Sequence, residues 1–254
     1  MALVDQFRKF IPRPRKVEVG WFVDSEKASL IHDDPRPIHS VSAKPPSSKA
    51  VQACPAVNDF ESRYFEIPCP LDLDLKFRFG PDEKPLLYNA AGSDGVVSTG
   101  ALRNFVKLMP RQEWRHPERP ILQMPAPYRF IADEPVWMSQ MLAFLHWSEQ
   151  HPPGRLIGGR MPIHIWPRAL SWAFEWFDIS RNLVLRRGDP WFYVHFETEN
   201  PDAHVRLTHA EVTDELTRYC RGLDGVTHYV SQTFSLFETA RSRRPKKLLV
   251  KRKA

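Results

Sequence analysis

A histidine and a glutamate stand two residues apart, as His195 and Glu197, in the segment GDPWFYVHFETE (Gly188–Glu199). Aromatic and β-branched residues surround them, which predicts a β-strand. Side chains two positions apart on a strand share one face, so Trp191, Tyr193, His195 and Glu197 are expected to point the same way. This spacing fits two ligands of the two-histidine, one-carboxylate site that holds iron(II) in many oxygenases.

A third ligand for that site would have to come from a later histidine. His204 falls in a predicted turn, His209 in the first turn of a predicted helix, and His228 before the final helix. Because none of the three sits in a second convincing strand, we favour a polar strand face that holds no metal or other cofactor. An iron(II)-dependent oxygenase or cupin-like enzyme that uses His195, Glu197 and His228 is the alternative.

Other chemical motifs are weak. The chain contains no Gly-x-Ser-x-Gly and neither of the glycine-rich phosphate-binding patterns. IHDDP (31–35) is interpreted as a solvated turn, and GRLIGGR (154–160) as a tight turn rather than an anion cradle. The odd, widely spaced cysteines predict reduced thiols and no zinc site; they are Cys54, Cys69 and Cys220.

The positive charge of the chain is concentrated at its C-terminus. Residues 241–254 hold 8 basic and no acidic side chains, whereas the other 240 residues hold 28 basic and 30 acidic ones, a net charge of −2. Such a segment is typical of a solvated extension, and it could also contact nucleic acid or another anionic surface. The cations that would make those contacts are Arg241, Arg243, Arg244, Lys246, Lys247, Lys251, Arg252 and Lys253.

The segments that would position these candidate residues have mainly the sequence patterns of β-strands. The chain has 24 prolines against 11 glycines, which favours short extended segments joined by rigid loops. VEVGWFV (17–23) predicts a strand, and LDLDLKFRF (71–79) alternates apolar and polar residues strictly, as in a strand with one dry face. Four tryptophans between residues 166 and 191 are interpreted as core residues rather than as a stacking surface.

Helices are predicted only near the end of the chain. Thr208 to Glu211 has the spacing of a capping box, and apolar residues at helical spacing follow it up to Gly222. Val230, Phe234 and Phe237 predict a second amphipathic helix that leads into the basic segment.

Several segments together resemble a family of uncharacterised proteins encoded by tailed bacteriophages, especially marine ones, and by some bacteria. They are ACPAVNDF (53–60), FEIPCPLDLDLKF (65–77), WFDISRNLVLRRGDPWFYVHF (176–196) and THAEVTDEL (208–216). The likeness spans about residues 20 to 240 and includes a Cys-Pro pair and a GDPxFYxxF strand. It implies a phage-related setting and a recurrent fold, and it supplies no functional residues because the family has no assigned activity.

The sequence therefore predicts a mainly antiparallel β-sandwich, jelly-roll-like, with one or two C-terminal helices. We expect an N-terminal arm over residues 1–16, one β-rich domain over 17–240 and a basic tail over 241–254. The predicted function is non-enzymatic binding or structural work in a phage or virus-related system, through a protein partner or self-assembly. No apolar run reaches the length of a membrane span, and no secretory signal is present, so we expect the host cytoplasm or the virion as its location.

Overall fold

The structure, a computed structural model, describes residues 15–26, 28, 30–38, 47, 49–95, 97–146, 151–224 and 233–253. The strands are β1 (Lys16–Val23), β2 (Arg36–Pro37), β3 (Tyr64–Pro68), β4 (Leu73–Phe79), β5 (Pro85–Asn89), β6 (Lys107–Leu108), β7 (Ile121–Ala126), β8 (Tyr128–Ile131), β9 (Val136–Met141), β10 (Gly154–Leu156), β11 (Arg160–Pro162), β12 (Leu170–Trp176), β13 (Leu183–Leu185), β14 (Pro190–Thr198) and β15 (His204–His209). The helices are α1 (Pro55–Glu61), α2 (Asp214–Asp224) and α3 (Thr233–Arg243).

These strands form four sheets. The five-stranded sheet has the order β11-β9-β14-β3-β2, the four-stranded sheet β10-β12-β7-β6, the β1 sheet β15-β1-β8 and the β4 sheet β13-β4-β5. The prediction of a mainly β fold with antiparallel sheets and C-terminal helices is confirmed, and the arrangement is consistent with a β-sandwich. The jelly-roll topology stays a prediction.

One apolar core includes residues from all four sheets. Leu71, Leu73, Leu75 and Phe77 are buried in it, as the alternation of LDLDLKFRF predicts. The tryptophans of the 166–191 region are also buried, so their interpretation as core residues is confirmed; they are Trp166, Trp172, Trp176 and Trp191.

The chain passes between two sheets at a single proline. Only Pro127 separates β7, in the four-stranded sheet, from β8, in the β1 sheet. Proline has no N–H to donate to a ladder, so it fits the point where pairing changes partners. Its carbonyl accepts a hydrogen bond from the Asp24 N–H at 2.8 Å, which joins this corner to the end of β1.

The β1 sheet contains a parallel pair. β1 pairs antiparallel with β8 and parallel with β15, with Lys16 opposite His204 and Gly20 opposite Thr208. The predicted capping box at Thr208–Glu211 is therefore wrong, because Thr208 belongs to a strand. Helix α2 begins later, where the Thr213 hydroxyl accepts a hydrogen bond from the Leu216 N–H at 3.2 Å, as an N-cap does.

Two further predictions about helices need correction. Helix α1 begins at Pro55, in the first helical turn where proline is tolerated, although no helix was predicted there. Gly222 lies inside α2 rather than at its end. Helix α3 confirms a second C-terminal helix, while Val230 and His228 lie outside the described residues.

Candidate functional site

Strand β14 has an apolar face, as predicted, but Trp191 and Tyr193, predicted on the polar face, are also buried, so only His195 and Glu197 make that face polar. Phe192, Val194 and Phe196 are buried in the core. His195 lies between Tyr64 of β3 and Ser139 of β9 in the ladder, on the outward face of the five-stranded sheet. Because both edges of β14 are paired, the backbone holds these outward side chains in place.

His195 packs against an aromatic ring. Its imidazole lies 4.8 Å from the Tyr64 ring, centroid to centroid, and its side chain is mostly buried. Burial lowers the pKa of His195, while the Glu197 carboxylate acts in the opposite direction. The Nδ1 of His195 and Oε1 of Glu197 are 3.9 Å apart.

Glu197 is engaged by an arginine. Its Oε2 accepts hydrogen bonds from Nε and Nη2 of Arg160, at 3.1 and 2.7 Å. The hydrogen bond from Arg160 is the main reason that the pKa of Glu197 is lowered. The guanidinium also lies over the Trp137 ring, 5.1 Å from its centroid. The Glu197 carboxylate is therefore held in an ion pair with Arg160 on the outward face of the sheet.

Of the residues predicted for a metal site, the structure places only His195 and Glu197 beside each other. Within the described ranges, no group of three or more His, Cys, Asp or Glu side chains is placed to hold a metal ion. His204 and His209 begin and end β15, so their predicted positions in a turn and a helix are wrong. His209 stacks on Trp21 of β1 at 4.5 Å, and His228 lies outside the described residues. The iron(II) alternative stays a prediction, and its two located residues, His195 and Glu197, pack against Tyr64 and Arg160.

An aromatic cluster, in which Phe60 and Phe144 are exposed and Tyr64 and Tyr193 are buried, lies beside His195. Phe60 of α1 lies 4.9 Å from Tyr64, and Phe144 lies 5.5 Å from Tyr64 and 5.6 Å from Tyr193. Phe60 and Phe144 are each 45% exposed and Leu145 is 43% exposed. We call this cluster the aromatic patch; it consists of Phe60, Tyr64, Phe144, Leu145, Tyr193 and His195.

Three ion pairs lie close to the aromatic patch. Besides Arg160–Glu197, Arg63 pairs with Asp59 at 3.0 Å. On the other side, Nε of Arg36 lies 2.7 Å from Oε1 of Glu66. Each of these arginines thus has a carboxylate beside it. The border is polar and the centre is aromatic, which is the usual anatomy of a protein interface.

A cleft of about 350 Å³ adjoins the patch, and Phe144 lines both. The buried rings of Trp172 and Trp191 form part of its wall, with ring centroids 5.7 Å apart. Cys69 also lines the cleft, and burial raises the pKa of its thiol to about 12, so the sulfur stays protonated and is a poor nucleophile. The cleft lining thus combines apolar rings with ionisable side chains, among them Arg186 and Asp189.

The basic C-terminal segment is folded onto the body, in contrast to the predicted solvated tail. Leu248 and Leu249 are 1% and 7% exposed, because their apolar side chains pack on β1 and β8. Arg244 pairs with Asp133 at 2.9 Å, and its side chain is only 10% exposed. Arg244 is therefore unsuited to the predicted anion contact. The other seven predicted cations are exposed; they are Arg241, Arg243, Lys246, Lys247, Lys251, Arg252 and Lys253.

The segments IHDDP (31–35) and GRLIGGR (154–160) contribute to the fold. The Tyr128 hydroxyl donates to the Asp33 carbonyl at 2.6 Å, which fixes the IHDDP turn against β8. A Cβ at Gly154 would lie 2.0 Å from the Glu175 carbonyl oxygen, so this glycine permits the close pairing of β10 and β12.

None of the family models, curated proteins or solved structures compared with the chain matches it. The resemblance to phage proteins therefore stays a prediction. No helix among the described residues is long and apolar enough to cross a membrane.

Proposed function

We propose that this protein is a non-enzymatic binding and structural protein of a phage or virus-related system, and that it acts by self-assembly through the aromatic patch. The observation that carries the proposal is the exposed cluster of Phe60 in helix α1 with Phe144 and Leu145 in the loop after β9. Exposed contiguous apolar surface is a property of association sites, and aromatic side chains contribute most of the binding energy there.

The occupant that fits this surface best is a second copy of the chain. A two-fold contact brings the same patch from both copies together, so the patch must tolerate its own charges. The border meets this condition because its arginines are paired with Asp59, Glu66 and Glu197. Two such faces meet without the repulsion that like charges would cause.

The adjoining cleft supports the same proposal. An interface gains most from an apolar side chain that fills a pocket and excludes water. The cleft of about 350 Å³ beside Phe144 provides such a pocket, with Trp172 and Trp191 in its wall. An exposed ring such as Phe60 of the second copy is of a kind that the pocket would accept.

The test is the oligomeric state of the full chain, measured by sedimentation velocity over a range of micromolar concentrations. We expect concentration-dependent association that Phe144→Lys abolishes, because a charge would then be buried at the centre of the contact. The matched control is Leu86→Lys, which changes a similarly exposed residue of β5 and should leave association unchanged.

Two results would count against the proposal. A wild-type chain that stays monomeric throughout that range would contradict self-assembly and favour a different protein partner for the patch. Association that Phe144→Lys and Leu86→Lys weaken equally would contradict the aromatic patch as its location.

A further inference from the structure

The C-terminal segment forms a strap across the β1 sheet; we define the strap as residues 244–253. At one side of the sheet, the Asp133 carboxylate accepts hydrogen bonds from Nη2 of Arg244 and from the N–H of Leu248, at 2.9 and 2.8 Å. At the other side, Lys251 forms a bridge with Ala210, directly after β15. Between them, Leu249 packs over Gly20 of β1.

The strap directs apolar side chains inward and cations outward. Leu248 and Leu249 lie in a cluster with Phe22, Ile131 and Ala210. The cations of the strap other than Arg244 are exposed. The backbone that carries these cations is folded onto the β1 sheet, so binding a ligand costs little backbone ordering entropy. The cations are Lys246, Lys247, Lys251, Arg252 and Lys253.

The neighbouring strands extend the same positive surface. In the parallel ladder Lys16 lies opposite His204, and Glu18 opposite Arg206. These positions share the face that the strap crosses, because side chains alternate along β1 and Gly20 lies under Leu249. Glu18 lies within 2.9 Å of Lys251 and 3.9 Å of Arg206, so one carboxylate faces two cations.

The local excess of positive charge is not a property of the whole molecule. Without residues 241–254 the chain has a net charge of −2. Within the part of the chain that the structure describes, Lys246, Lys247 and Lys253 form no ion pair with a carboxylate. The face thus presents three cations without an ion pair among the described residues, on a protein that is otherwise slightly acidic.

We infer that this face binds the phosphate backbone of duplex nucleic acid. Lysine and arginine side chains on an extended, exposed segment contact phosphates without reading bases. The strap carries no aromatic ring on which unpaired bases could stack, which favours a duplex over a single strand. This site is separate from the aromatic patch and does not rest on self-assembly.

The test is fluorescence anisotropy of the full chain with a labelled duplex of about 20 base pairs, from about 50 to 200 mM salt. We expect the logarithm of the binding constant to fall with the logarithm of the salt concentration with a slope of about −4, which corresponds to four or five phosphate contacts. The strap variant combines Lys246→Gln, Lys247→Gln and Lys253→Gln. It should bind at least about tenfold more weakly at the lowest salt, with a slope smaller by about 2 to 3.

The matched control removes three exposed cations elsewhere, through Lys76→Gln, Arg103→Gln and Lys107→Gln. This control has the same net charge as the strap variant, and its affinity should stay within about twofold of its starting value. Equal losses of duplex affinity in both variants would overturn the inference, because they would indicate non-specific electrostatic attraction to the whole protein. Binding of polyglutamate as tightly as duplex would overturn the assignment to phosphate in favour of an acidic protein. Melting temperatures verify that both variants are folded.

Discussion

The aromatic patch and the strap are built in different ways. The buried base of the patch, Tyr64, Tyr193 and His195, lies on the paired strands β3 and β14, whereas its exposed rings lie in helix α1 and in the loop after β9. The strap has no ladder of its own beyond one bridge, and it depends on a few side chains such as Asp133 and Leu249. Backbone pairing fixes the base of the patch, whereas the strap depends more on side-chain contacts and should loosen when one of them is removed.

The largest loss of stability is expected when Asp133 is substituted. Asp133→Ala removes the acceptor of the Leu248 and Leu249 N–H groups and the ion-pair partner of Arg244. Leaving these donors unsatisfied should lower the free energy of unfolding by about 3 kcal/mol. Urea denaturation measures this change, and Asp133→Asn, which keeps one acceptor oxygen, should lose less.

This substitution also tests the contrast between the two surfaces. Asp133→Ala should weaken duplex binding together with stability, because the strap loses its anchor, while self-association through the aromatic patch persists. Loss of self-association alongside duplex binding would show that the two surfaces are not independently built.

The next largest loss of stability is expected when Gly20 is substituted. A Cβ there would lie 2.2 Å from Cδ1 of Leu249, so Gly20→Val should push the strap away from β1. We expect a loss of about 1 to 3 kcal/mol from overpacking. In a double-mutant cycle, Gly20→Val combined with Leu249→Ala should cost less than the sum of the single changes, because the clash disappears. Additive costs would argue against this contact.

A smaller effect is expected on the aromatic patch itself. Phe60→Ala removes an exposed ring that touches Tyr64 and Phe144. Self-association should weaken roughly tenfold, as for a truncated interface anchor. The free energy of unfolding should change by no more than about 0.5 kcal/mol, because the strands are unaffected. A large loss of stability would mean that the ring serves the fold rather than association.

The smallest effect concerns pH. The pKa of His195 in the folded protein lies below 6.5, so the unfolded chain takes up this proton first as the pH falls. Stability should therefore decrease from pH 7 toward pH 5, and the part due to His195 should be about 1 kcal/mol or less. His195→Gln removes this part, which is visible as a flatter dependence of urea midpoints on pH. An unchanged dependence would indicate that His195 is not the group responsible.

Strands were predictable from the sequence where their local pattern is strong. Leu73 to Phe77 alternate as a strand with one dry face does, and Phe192 to Phe196 are rich in the aromatic and β-branched residues that favour strands. Helix α1 was missed because the proline-broken chain before it favoured a loop, although Pro55 is acceptable in the first turn of a helix. Thr208 was misassigned because the capping-box spacing is short and also occurs by chance in a strand.

Half of the candidate site was predictable. His195 and Glu197 were placed correctly on one strand face, but their neighbours Phe60 and Phe144 were not identified. These two rings lie outside strands and are separated by many residues, so no local pattern connects them. The basic residues of the strap were identified by charge alone, which could not reveal that Arg244 would be buried.

The sequence by itself determined the dry face of β4 and where the positive charge is concentrated, because period-two alternation and charge composition are local properties. Only the tertiary structure decided that β15 pairs in parallel with β1, that Phe60 meets Phe144 and that Leu249 covers Gly20. These outcomes depend on contacts between distant segments, and their free energies arise only when the whole core assembles.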